Sequence, residues 1–142
     1  MVLSAINISG KKGTVKKEVN ECEFKSGFGI AGDAHGGSSR PVSILLKDEI
    51  DRFIARTGYT VNSGAFGENL IIDGLNKDDI YIGLKIRVGE ALLEVIKLGK
   101  QCHDNNCIIK KNTGECIMPE CGFFCNVLIS GSVKKGMEVS IA

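Results

Sequence analysis

The chain has 142 residues, enough for one domain with a hydrophobic core of its own. Eighteen Lys and Arg against 17 Asp and Glu leave a formal charge of +1, which excludes the basic footprint used to bind nucleic acid or an acidic membrane. Apolar residues at 43% and charged residues at 25% exclude a disordered chain, and no uninterrupted apolar run approaches the ~20 residues that span a bilayer.

Val2 to Ile8 reads as a strand, closed by the turn signal Gly10-Lys11-Lys12-Gly13. Thr14 to Phe24 is compatible with β structure, and the glycine-rich passage from Gly27 to Gly37 predicts no regular element. Val42 to Leu46 reads as a buried strand. Asp48 to Arg56 predicts the one helix, because Ile50, Phe53 and Ile54 share a face and Gly58 supplies a stop. A second glycine loop, Asn62 to Asn69, feeds the apolar strand Leu70 to Ile72, which Asp73-Gly74 ends. Leu84, Ile86 and Val88 alternate with Lys85 and Arg87, and Gly89-Glu90 fits a type II′ hairpin turn with a return strand over Ala91 to Lys97. Phe123 to Ile129 and Met137 to Ile141 read as two more strands, joined around Gly131 and Gly136. With no repeat or low-complexity tract, residues 1–142 are expected to form one mostly antiparallel β domain, a barrel with one or a few short helices.

Cysteine usage departs from the ordinary. Five of the six cysteines (Cys102, Cys107, Cys116, Cys121 and Cys125) crowd between residues 102 and 125. Met1 to Ile8 lacks the basic start and long apolar stretch of a secretory leader, so the expected location is cytoplasmic. In a reducing compartment such a cluster points to metal binding or thiol chemistry before disulfides. Cys125 shares an alternating strand face with Phe123 and Val127, which predicts simple burial. Cys22 has no neighbouring partner and is expected to be structural.

Three passages in order resemble the MOSC domain, the C-terminal domain of molybdenum cofactor sulfurases, which also occurs alone in small bacterial proteins. They are Gly32-Asp33-Ala34-His35 followed by Arg40-Pro41-Val42-Ser43, then Gly64-Ala65-Phe66-Gly67-Glu68-Asn69-Leu70, then Leu98-Gly99-Lys100-Gln101-Cys102. The resemblance implies a MOSC-like β-barrel and a role in binding the molybdenum cofactor, molybdopterin, or in carrying sulfur during its maturation. It also implies a cofactor site on Asp33, Arg40, Ser43, Gly67, Glu68 and Asn69, with Cys102 and His35 as catalytic residues. Pyridoxal phosphate chemistry would belong to a partner cysteine desulfurase, and molybdenum cofactor biosynthesis proteins or molybdoenzymes would be further partners. Two features depart from the family pattern: Pro41 stands where Gln is usual, which predicts an interrupted ladder there, and the extra late cysteines exceed the family's single thiol.

The residue chemistry leaves alternatives open. A reactive thiolate needs nearby cations and partial exposure, and Cys102 has Lys97 and Lys100 before it and His103 after it. It could equally be a loop cysteine without a role. The two glycine loops can present consecutive backbone N–H groups to a phosphate or oxyanion that Arg40 clamps, or they can be plain turns in which Asp33 and Asn69 bond their own backbone. Glu68 and Asn69 offer an acceptor and an amide for a heterocycle edge. His35 suits proton transfer or ligand orientation, or a hydrogen bond within the turn to Asp33. Cys102 and Cys107 are spaced C-x4-C, as are Cys116 and Cys121, so a tetrathiolate zinc or iron–sulfur site is a rival reading. A molybdopterin-dependent reductase of N-hydroxylated compounds is a third, also implied by the resemblance.

Overall fold

A computed structural model describes residues 1–11, 16–99 and 122–142. In chain order the elements are β1 (Val2–Ile8), β2 (Lys17–Val19), β3 (Glu21–Lys25), β4 (Gly29–Ile30), β5 (Val42–Leu46), α1 (Lys47–Thr57), β6 (Leu70–Asp73), a short 3-10 turn (Lys77–Asp79), β7 (Lys85–Val88), β8 (Ala91–Leu98), β9 (Phe123–Ile129), β10 (Gly131–Lys134) and β11 (Val139–Ile141). Eight strands form one sheet in the order β11-β7-β8-β9-β5-β6-β1-β2, and β10-β3-β4 form a second. The large sheet rolls until its distant parts meet: Val2 of β1 bridges Glu138, and Leu3 and Val139 exchange backbone bonds with Met137 and Met1. The fold is mostly β as expected, and this bridge draws the ends of the large sheet together, but β11 and β2 do not pair as strands, so the strand ladder does not close into the expected barrel.

The middle of the large sheet explains its sequence. β5 and β6 are parallel, in register Ile44 to Leu70, Leu45 to Ile71 and Leu46 to Ile72, and α1 makes the crossover between them. Parallel pairs are covered on both faces, so their strands read as continuous apolar runs. Ile44, Leu46, Leu70 and Ile72 point into the main core with Leu3, Phe24 and Phe123, whereas Leu45 and Ile71 point outward under the helix. There they meet Ile50 and Phe53, and Phe53 packs edge-on against Phe66 with ring centroids 5.2 Å apart. The helix has no side-chain cap at its start. Asp48 and Glu49 in its first turn complement the dipole instead, and the Gly58 N–H closes its end on the Ile54 carbonyl.

The β7–β8 hairpin turns on two residues, Gly89 and Glu90, and only Gly89 has positive φ, at 57°. That matches the predicted type II′ turn, in which the first central residue alone is left-handed. Pro41 does not interrupt the ladder as anticipated, because it sits just ahead of β5 and leaves Val42 to pair with Cys125. The glycine passage is more regular than expected: Gly29–Ile30 adds a two-residue strand to β3. Gly131–Lys134, read as a connection, is a strand that pairs with β3 along its length. Both were hidden by composition, because short glycine-containing segments carry no periodicity to read. No helix among the described residues is long and apolar enough to cross a membrane.

Candidate functional site

The first glycine passage leads from β4 into β5 and the second leads from α1 into β6, so the parallel pairing of β5 and β6 brings the two loops together. Between them lies a cavity of about 220 Å³ lined by His35, Ser38, Ser39, Arg40, Ser43, Gly67 and Phe124. The stitching is polar. Asn69 accepts hydrogen bonds at Oδ1 from the Ser43 backbone N–H (3.0 Å) and hydroxyl (3.1 Å), and the same hydroxyl lies 3.0 Å from the Gly67 carbonyl. The Asn69 N–H donates to the Ser43 carbonyl and hydroxyl, and its amide nitrogen donates to the Asn7 carbonyl at 3.0 Å. Ser43 and Asn69 therefore fix the edge of the second loop at the cavity wall.

His35, which lines the cavity, rests on a buried ion pair. Lys16 donates to Asp33 Oδ1 at 2.7 Å, with both side chains at most 1% exposed, and reaches His35 Nδ1 at 3.0 Å. Asp33 also accepts from the Ser9 N–H at 3.1 Å and the His35 N–H at 3.2 Å. Burial pushes its carboxyl up, but the bond and charge of Lys16 and these two N–H groups outweigh it and hold the group below its ordinary value. Gly64 lets the second loop close over Lys16: a Cβ there would lie 2.3 Å from the Lys16 carbonyl oxygen, and φ is +89°.

The expected site residues divide cleanly. His35, Arg40, Ser43 and Gly67 line one cavity. Asp33 supports it from beneath. Asn69 is buried with both ends of its amide engaged, so it does not present an edge to a heterocycle. Glu68 does not line that cavity: the residue is 1% exposed, its carboxylate accepts from the Phe66 N–H at 3.1 Å, and it borders a separate groove with Ile50, Ile54 and Ser63. Burial pushes Glu68 up to about 7, against its own N–H, those of Phe66 and Gly64, and the charge of Lys16, which pull it down.

The backbone N–H groups expected to cradle an anion are largely engaged within the turns. Ala34 donates to the Ser9 carbonyl, Gly36 to Asp33, Gly37 to Phe28, Ser38 to His35, Ala65 to Asn62 and Gly67 to Gly64, while Arg40 donates to the Ser38 hydroxyl. Tight turns close their own donors, so recognition in this cavity falls to side chains. Arg40 is the cation there. Its guanidinium stands 5.7 Å over the Phe124 ring, and no described carboxylate pairs with it.

Lys16, Ser38, Ser39 and Phe124 are the contributors that sequence reasoning missed. Lys16 sat inside a weakly patterned β stretch. Phe124 was read only as a strand residue, and its register opposite Ser43 is what puts it in the wall. Cys102, Cys107, Cys116 and Cys121, with both the persulfide and the tetrathiolate readings, lie outside the described residues. The described residues that flank them are joined, the Gly99 N–H donating to the carbonyl of Gly122, two residues from Phe124, at 2.7 Å. Cys125 is fully buried as expected, and burial and then Glu94 raise its thiol above the ordinary range. Cys22 packs on the core, with its thiol pushed up to about 12 by burial and then by Asp33, in keeping with a structural role.

A family model described as the MOSC domain matches residues 31–140. The uncharacterized protein YflK of Bacillus subtilis is 28% identical over 118 residues, covering 75% of this chain and 50% of that protein. The chain thus spans about half the length of that curated relative. Among solved structures, the YuaD protein of Bacillus subtilis superposes with a TM-score of 0.81 at 19% identity, covering 97% of this chain and 93% of the other. YiiM of Geobacillus stearothermophilus superposes with a TM-score of 0.75 at 22% identity, covering 99% of this chain and 74% of the other. At these identities the likeness is one of fold.

Proposed function

The chain belongs to the MOSC domain family, and from that premise we propose that its cavity binds the anionic end of the molybdenum cofactor while Cys102 carries sulfur beside it. The observation that carries this reading is the convergence of Arg40, His35 and Ser43 on one cavity whose wall, Phe124, lies two residues from Gly122. The donor set fits the group. A guanidinium, an imidazole and serine hydroxyls suit a phosphate, and an aromatic face beside them suits a flat pterin. At about 220 Å³ the cavity is below the range that encloses a whole drug-sized ligand, which suits capture of one end of the cofactor. When bound, the cofactor would supply a molybdenum centre able to exchange oxo for sulfido ligands.

Arg40 would take two anionic oxygens with its planar fork, and the Ser38 and Ser39 hydroxyls would adapt to the remaining ones. The Cys102 thiolate would attack the outer sulfur of a donor persulfide. A sulfur–sulfur bond forms on Cys102, the donor bond breaks, and the donor leaves as a thiolate, so no net oxidation occurs. A partner cysteine desulfurase, with its own pyridoxal phosphate, is the donor in this reading.

Two measurements test it. Protein expressed in cells that make molybdopterin should release a fluorescent oxidised pterin on denaturation, and Arg40→Ala should release far less. Incubation with a desulfurase and cysteine should add the mass of one sulfur atom to the wild type and none to Cys102→Ser. A wild type that yields neither pterin nor adduct with an active donor would overturn the proposal.

A further inference from the structure

We propose that Phe124 is a positioning residue for Arg40: its ring seats the guanidinium at the cavity wall and leaves the N–H fork to the ligand, so an incoming oxyanion meets a cation that is held in place without an ion pair to break. The inference deepens the proposed function and rests on it for the ligand. The seat itself rests on the geometry of β5 and β9.

Both residues are fixed up to their point of contact. Phe124 stands opposite Ser43 in the β5–β9 ladder and is 4% exposed, so register and packing hold its ring. Arg40 leads into β5 from the other side of Pro41. Its backbone N–H donates to the Ser38 hydroxyl at 3.2 Å, and the proline that follows confines its backbone to the extended region. Pro41 is in turn buried against Gly29, where an added Cβ would lie 2.9 Å from the proline Cβ. The proline that stands in place of the usual Gln thus has a use in the site, because it stiffens the stem from which Arg40 reaches the ring.

Beyond that stem the ring is what holds the side chain. The guanidinium carbon stands 5.7 Å from the Phe124 centroid, and both residues line the cavity. Among the described residues Arg40 has no side-chain hydrogen bond and no ion pair. Asn7 Nδ2 and Ser9 Oγ are the buried side-chain atoms left without a partner there; the Arg40 nitrogens are not, so water reaches them. An aromatic face attracts a cation through its quadrupole and uses up none of the donors that a carboxylate would occupy. An unseated arginine would surrender its rotamer freedom when the anion arrives. The seat removes that cost in advance, because apparent affinity falls with the fraction of molecules in the competent conformation.

The test is a series at Phe124 in the full chain, with mono-, di- and pentafluorophenylalanine, which nearly keep the ring's shape while draining negative charge from its face. Calorimetry with inorganic phosphate should show affinity falling along the series, by about two- to tenfold at its end, and Phe124→Leu should lose a similar amount. In NMR spectra of labelled arginine, assigned by comparison with Arg40→Lys, the Arg40 side-chain protons should be shifted upfield by the ring current in the wild type and return to ordinary positions in Phe124→Leu. An affinity that stays level along the series overturns the inference. So does one that rises, which is the result if Arg40 must leave the ring to bind, and so does an Arg40 without the ring shift. A wild type that shows the ring shift but binds no phosphate keeps the seat and overturns the anion-binding reading of the cavity.

Discussion

Replacing Glu68 by Gln isolates the cost of a buried carboxylate. Glu68 is 1% exposed and its folded-state value is raised from 4.5 to about 7. Between those values the unfolded chain gives up the proton that the folded chain keeps, so this group makes stability fall as pH rises through that window and level off above it. At 1.36 kcal/mol for each unit the loss is about 3 kcal/mol. Gln keeps the shape and an oxygen for the Phe66 N–H but cannot ionise. Any packing penalty of the amide is the same at every pH, so the informative quantity is how the gap between the proteins moves. Urea unfolding at about pH 4 and about pH 8 should show the gap shifting in favour of Glu68→Gln by about 3 kcal/mol, or about 6–12 °C in Tm. Parallel stability curves for the two proteins across that range would refute the assignment of a buried, proton-holding Glu68.

Asp33 has the opposite sign. Its value is lowered, so its contribution is present above the ordinary carboxylate range and is lost as acid protonates it; Asp33→Asn should flatten the acid limb of the wild-type stability profile and cost about 3–5 kcal/mol at neutral pH, because Lys16 is left buried without its partner. Gly64→Ala should destabilise by more than about 1 kcal/mol in chemical denaturation, since the new methyl group meets the Lys16 carbonyl in a left-handed backbone. Ile72→Ala, at a fully buried position on the parallel pair, should cost about 2–5 kcal/mol by the same assay. Arg40→Ala should weaken inorganic phosphate binding about 10- to 100-fold in calorimetry while leaving the unfolding midpoint nearly unchanged, because the guanidinium pairs with no described carboxylate.

Much of this molecule is legible along the chain. The continuous apolar run at Val42 to Leu46, the spacing of Ile50, Phe53 and Ile54, and the alternation from Leu84 to Val88 each state a burial pattern, and burial pattern is what selects helix or strand. The order of the Gly-Asp-x-His turn, Arg40, and the Gly-Glu-Asn loop identified the family, and His35, Arg40, Ser43 and Gly67 indeed share one cavity. The directions in which neighbouring side chains point were not legible. Glu68 and Asn69 adjoin Gly67 in sequence, yet one is buried with its carboxylate on the Phe66 N–H and the other spends its amide on Ser43 and Asn7. The expected backbone cradle was lost for the same reason, since whether an N–H is available depends on what the folded turn already gives it.

Local pattern fixed the strands, the crossover helix and the family, because periodicity and turn chemistry act between residues a few places apart. Tertiary structure alone decided that Lys16 meets Asp33 and His35, seventeen and nineteen positions away, and that Phe124 stands opposite Ser43. Those meetings follow from strand register and loop closure, which are settled only when the whole sheet has rolled up and excluded water from the groups it buries.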